Sequence, residues 1–183
     1  FLEMMAAPML VALILVAMHG YLGAHVVRRG VIFVDIALAQ IAAFGVALAL
    51  DGDNLLVGAF ARGDTAGAGY AFRRDASGKF QKEAVFQADD TVAGDRFGVS
   101  IALDGDRALV AATRHDEQRG GVYLFERRGG AWGQVAKLQS DDLEKGNRFG
   151  SSLALSGDRA FAGTDRFAGF TGALFGFERD SQS

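Results

Sequence analysis

Two short loops gather most of the side chains that could do chemistry in this chain. "DDTVAGDRFG" places Asp89, Asp90 and Asp95 within seven residues, and "DDLEKGNRFG" places Asp141, Asp142 and Asn147 at the same spacing. Oxygen donors at this density are what a hard cation recruits. The order that wraps one, Asp-x-Asp-x-Asp-Gly, is missing from both, so the loops read as solvated acidic turns. These six residues are the candidates for a metal. His115, with Asp116 and Glu117 beside it and Ser100 elsewhere, supplies hydrolase residue types. No serine sits in a nucleophile elbow, and adjacency in sequence is not geometry. His19 and His25 are six positions apart, about 240° around a helix, and cannot form an adjacent ligand pair. No phosphate-binding loop, dinucleotide fingerprint or His-Glu-x-x-His motif occurs. The expectation is a non-catalytic protein without a cofactor.

Composition narrows the classes further. The chain has 183 residues, no cysteine, 22 acidic against 19 basic residues and a net charge of −3. That excludes disulfides, thiol catalysis and Cys-ligated zinc, and it gives no electrostatic case for nucleic acid.

The elements that would position these groups fall into two parts. From Met4 to Val27 the chain runs 24 residues without a formal charge. As a helix this spans roughly 36 Å, enough to cross a bilayer core. Pro8 falls in the first turn or so, where it does little harm. Arg28 and Arg29 follow, the flank that stays cytoplasmic. A cleavable signal peptide fits poorly, because the basic residues come after a run that is too long. Residues 1–43 are therefore read as a membrane-inserting helical segment held through 4–27, with a buried core helix as the alternative. A second apolar run from Val31 is interrupted by Asp35 and Gln40, and if it stops at Ala43 it is too short to span.

From Phe44 the chain repeats. "FGVALALDGDNLLVGA" at Phe44, "FGVSIALDGDRALVAA" at Phe97 and "FGSSLALSGDRAFAGT" at Phe149 are offset by 53 and 52 residues. "GAGYAFRRD", "GGVYLFERR" and "TGALFGFER" recur later in each unit. A period of this size indicates an array. Each unit predicts about four strands. "VSIAL-DG-DRALVAA" is a hairpin with Asp104-Gly105 at a type I′ turn. Val99, Ile101 and Leu103 are expected on one face, with Ser100 and Ala102 on the other. "GVYLFER" is apolar on both faces, as in a strand between two sheets. "GAWGQVAKLQ" closes the unit, and Ser140 to Asn147 form a polar crossing. The pairs Arg73-Arg74 and Arg127-Arg128 are expected to cap strand ends at the surface. The fold class is mainly β, a partial β-propeller of about two and a half four-stranded blades after an apolar helix. Its units are 44–96, 97–148 and a truncated 149–183. An open array leaves edges exposed, so a fragment, an oligomer that completes the propeller, or a poorly stable array is expected.

The pattern "RFGVSIALDGDRALVAA…GGVYLFER…W…KLQSDD…GNRFG" resembles FG-GAP repeats, the blades of integrin-like β-propellers, over residues 44–179. The resemblance implies a non-catalytic binding or adhesion surface, on a secreted or cell-surface protein, with a protein or ligand on the blade loops. Calcium is bound by many such blades, but the loops at 89–95 and 141–147 depart from the family's calcium loop. Arg62-Gly63-Asp64 is a tripeptide that can serve as an integrin ligand in an exposed loop, although three residues recur easily by chance.

The stretch "PMLVALILVAMHGYLGAHVVRRGVIFVDIALAQIAAFG" resembles the start of a permease from bacterial ATP-binding-cassette transporters of zinc, manganese or iron. It covers 8–45, a small fraction of such a permease. Two readings follow: a membrane-tethered binding module built of FG-GAP blades, or a metal-permease fragment joined to propeller sequence. A chimera in which neither parent function survives also stays open. The resemblance to FG-GAP proteins places the blades outside the cell. The Arg28-Arg29 flank on a single span places them inside, so topology stays open too.

Overall fold

Gly-Asp turns set the architecture. The computed structural model describes residues 47–179 except 63 and 65. The apolar segment 4–27, the second apolar run, His19, His25, Asp35, Gln40, the FG pair at 44–45 and the permease-like stretch lie outside these residues. Among the described residues no helix is long and apolar enough to cross a membrane. They form three antiparallel sheets. The first holds β1 (Ala47–Asp51), β2 (Asn54–Ala59), β3 (Ala68–Arg74) and β4 (Phe80–Phe86). The second holds β5 (Phe97–Asp104), β6 (Arg107–Ala112), β7 (Gly121–Arg128) and β8 (Ala131–Leu138). The third holds β9 (Ser152–Ser156), β10 (Arg159–Thr164) and β11 (Ala173–Glu178). Each strand pairs with its neighbour in sequence, a meander consistent with a partial propeller.

The hairpin turn differs from the expected type. Asp104 pairs with Arg107, so the loop residues are Gly105 and Asp106. Only the glycine has positive φ, +57°. This is the II′ pattern, with glycine first, rather than the I′ pattern that needs two left-handed residues.

The pleat also breaks once in β5. Pairing jumps from Phe97↔Ala112 to Ser100↔Ala111, a bulge around Gly98. With Gly98 and Val99 both unpaired, Val99 turns away from Ile101 and Leu103 and packs with Ala102 on the opposite face. Strict alternation misplaces Val99 because a bulge resets the count.

Successive sheets pack face to face. Leu56, Ala71 and Phe86 of the first sheet meet Ala108, Val110, Ala112, Tyr123 and Phe125 of the second. The other face of the second sheet presents Leu109, Ala111 and Val122 to Phe149, Ala160 and Ala162. β7 is thus apolar on both faces, as its sequence predicts. Alanines at the centre let the layers approach closely.

The FG pair makes the seam between sheets. Phe97 and Phe149 are fully buried. Their amides donate to the Ala66 and Arg119 carbonyls of the preceding unit, at 2.8 and 2.9 Å. Gly98 has φ +89°, and a Cβ there would lie 2.7 Å from the Ala68 oxygen. No other residue fits that approach.

Candidate functional site

The long connections collect at one end of the sheets, where β4 leads to β5, β6 to β7, and β8 to β9. Two-residue hairpin turns close the opposite end at 52–53, 105–106 and 157–158. Between β6 and β7 the chain forms a single turn, α1 (His115–Gln118), in which Asp116 and Glu117 have left-handed dihedrals. The Glu117, Gln118 and Arg119 carbonyls accept from the Gly146, Arg148 and Phe149 amides. This ties the turn to the next loop and fixes where His115 points.

His115 is the centre of a polar cluster. Its Nδ1 lies 2.9 Å from Asp95 Oδ2, and its Nε2 is 2.9 Å from Lys137 Nζ and 3.5 Å from Asp90 Oδ2. Lys137 in turn donates to Asp90 at 2.6 Å. Asp95 is buried and also accepts the Val92 amide at 2.9 Å. With Nδ1–H donating to Asp95, Nε2 is left to accept from the Lys137 ammonium. Tyr123 closes the cluster, its ring 6.2 Å from the His115 ring, edge to face, and 5.5 Å below Lys137 Nζ. Burial, with the Asp90 carboxylate beside it, pushes the Tyr123 phenol above its ordinary range. Its buried hydroxyl is directed at Asp90 but falls short of a well-formed hydrogen bond. Burial alone would raise Asp90, but Lys137 and then Tyr123 and His115 outweigh it and hold the carboxylate below its usual range.

Both imidazole nitrogens are engaged within the cluster, Nδ1 with Asp95 and Nε2 with Lys137, and Ser100 lies in β5 opposite Ala111.

The six oxygen-bearing candidates do not converge on one point. Asp90 and Asp95 meet at His115. Asp89 is exposed. Asn147 is buried, accepting the Glu144 amide at 2.7 Å and donating to the Arg166 carbonyl at 3.0 Å. Asp142 closes a local turn with Ser140, and Asp141 is exposed beside it. Among the described residues no three His, Asp or Glu side chains are grouped to hold a metal ion. Arg62 lies over the Tyr70 ring at 5.6 Å, while Gly63 is outside the described residues.

The arginine pairs divide. Arg127 is not a surface cap: its side chain is 7% exposed and bonds Glu83 at 2.8 Å, Asn54 at 2.9 Å and Asp106. It also stacks on Trp132, 5.3 Å from the ring centroid. It joins the first sheet to the second, because its strand ends against β4 rather than in solvent. Arg74 repeats the arrangement over Phe80 at 5.1 Å with a more exposed side chain.

The His115 cluster was missed by reading residues singly. Aligning the units finds it: position 115 corresponds to Arg62 and Phe167, and Asp95 to Asn147. The sequence profile of the FG-GAP repeat family matches residues 80–125 and 132–173. No curated protein matches the chain, and the comparisons give the permease resemblance of residues 8–45 no support. Both matched windows start in the outer strand of one sheet and end in the third strand of the next. Each therefore contains a complete seam. Residues 80–125 and 132–173 match FG-GAP repeats, and the three antiparallel sheets are consistent with a partial propeller.

Proposed function

We propose that this chain is a non-catalytic binding or adhesion module that presents its loop end to a protein partner. Residues 4–27 hold it at a membrane, with the propeller part on the extracytoplasmic side. The observation that carries the reading is the asymmetry between the two ends. One end has short turns of two to five residues, while the other gathers the longer loops and displays Val92 and Phe170, 61% and 74% exposed. Phe170 lies against Arg166, 5.6 Å from its ring centroid, and Arg62 and Arg114 are exposed in the loops of the same end, a mixture that suits a protein surface. The polar groups with catalytic potential are already paired with one another.

Two measurements test it. Photo-crosslinking groups placed at 92 and 170 should label a partner on intact cells, and groups at 78 and 130, at the hairpin end, should not. Equal labelling from both ends sinks the loop-end reading. The full chain should float with lipid vesicles, and Leu13→Lys with Leu15→Lys should leave it in solution. Flotation unchanged by those charges rejects the tether.

A further inference from the structure

Two carboxylates of the loop between β4 and β5 flank Val92, and both face one imidazole. Asp95 Oδ2 accepts the Val92 amide at 2.9 Å and meets His115 Nδ1 at 2.9 Å. Asp90 Oδ2 lies 3.5 Å from His115 Nε2. Lys137 of β8 bridges these last two groups, its Nζ 2.9 Å from Nε2 and 2.6 Å from Asp90. Tyr123 of β7 also faces the ring, with its hydroxyl directed at Asp90. On the His115 turn itself Asp116 pairs with Arg119 at 2.7 Å and Glu117 with Lys145 at 2.5 Å, and Arg114 is exposed.

The two ring nitrogens respond differently to a proton. Nδ1 donates to Asp95 whether the ring is neutral or charged. Nε2 accepts from Lys137 only while it carries no hydrogen. Once protonated, it faces the ammonium as donor to donor and cation to cation, and Asp90 Oδ2 is the acceptor within reach. Lys137 has a way out, because its side chain is 24% exposed. Burial works against the Asp90 charge, but Lys137 and then Tyr123 and His115 outweigh it, so the acceptor stays ionised as the ring takes its proton.

We propose that His115 is a proton-driven latch on the loop that displays Val92. Neutral, the imidazole holds one side of the loop through Asp95 and leaves Asp90 to Lys137. Charged, it takes both carboxylates, frees the Lys137 ammonium to solvent and fastens the loop on both sides of Val92. The second seam has no such latch, because Phe167 stands in the place of His115 and takes no proton. The bearing of the latch on a partner rests on the loop-end reading, but the latch itself is observed without any partner, so the two fail separately.

The test is a titration of the full chain in detergent micelles, labelled with nitrogen-15 in histidine, between about pH 8 and pH 5, the window in which imidazoles change charge. His115→Phe assigns the signal by its loss. The Nδ1–H tautomer is expected at the alkaline end and a slowly exchanging Nε2–H at the acid end. Amide protection factors at 90–94 should rise about fivefold as that signal appears. Lys137→Met, which removes the competitor, should keep the rise, and Asp90→Ala, which removes the acceptor, should abolish it. No slowly exchanging Nε2–H in acid, protection factors that stay level or fall, or the same rise in Asp90→Ala would each overturn the latch.

Discussion

The seam between the first and second sheets is polar at its loop end, and the seam between the second and third is aromatic at the matching positions. In the first, Asp95, His115 and Tyr123 meet Lys137 and Asp90. In the second, Asn147, Phe167 and Phe175 occupy the places of Asp95, His115 and Tyr123. The ring pairs superpose in kind: His115–Tyr123 and Phe167–Phe175 are both edge to face at 75°, with centroids 6.2 and 5.8 Å apart. What changes is the partner each loop residue requires. Asp95, an acceptor only, needs a donor and finds His115. Asn147 carries a donor as well, and finds the Arg166 carbonyl. One backbone frame thus accepts either solution, provided that both members of a pair change together.

The glycine of the FG pair should show the largest effect. Alanine at Gly98 meets main-chain atoms, Ala68 O at 2.7 Å and Ala59 N at 3.0 Å, in a left-handed conformation. Gly150→Ala meets the ends of side chains, Ala111 Cβ at 2.6 Å and Val122 Cγ2 at 2.8 Å. Gly98→Ala should cost about 3 kcal/mol or more in chemical denaturation, and Gly150→Ala, left-handed as well at φ +88°, somewhat less, because the Val122 methyl can turn away although the Ala111 Cβ cannot. Equal losses would show that the two seams yield alike.

Exchanging the pair tests the comparison directly. His115→Phe alone strands a buried carboxylate and should cost about 2–3 kcal/mol. Adding Asp95→Asn converts the first seam to the pattern of the second and should recover about half of that loss. A double-mutant cycle reads the coupling, expected at about 1–2 kcal/mol. Simple additivity would mean that the two residues act separately.

A smaller effect is expected at the hairpin end. Asp51 accepts the Gly105 amide at 2.7 Å and Asp104 accepts the Gly157 amide at 2.6 Å, each linking one unit to the next. The third unit has Ser156 in that place. Asp104→Ala should lower stability by about 0.5–1 kcal/mol, measured by thermal unfolding. A loss as large as that of Gly98→Ala would move the main link between sheets from the FG seam to the hairpins.

The smallest effect concerns acid. In the fold, burial works against the Asp90 carboxylate but Lys137 holds it below its ordinary range. A depressed carboxylate adds stability that is present above its unfolded pKa and lost as pH falls through the folded one. Its side chain is 45% exposed, so screening keeps the contribution small. Asp90→Asn should flatten the acid limb of the stability curve below about pH 4 and leave neutral pH nearly unchanged. An unaltered acid limb would remove Asp90 from the cluster's energetics.

Much of this architecture was legible in the chain because its signals are local. The 52–53-residue offset, the position of each hairpin and the doubly apolar β7 depend only on neighbours along the backbone, although the turn residues are Gly105 and Asp106 rather than the expected Asp104 and Gly105. So do the small residues that let sheets approach. Two-fold alternation worked until Gly98, where two unpaired residues, Gly98 and Val99, left Val99 on the other face. No local pattern announces that bulge.

By itself the sequence determined the repeat, the strand order within each unit and the class of fold, since pleat and turn chemistry act over a few residues. Tertiary structure alone decided the pairings across seams. Asp95 meets His115 across 20 residues and Arg127 meets Asn54 across 73. The first pair extends the β5–β6 hairpin past Phe97↔Ala112, while the second exists only once neighbouring sheets have packed, because partner choice there depends on which surface arrives opposite.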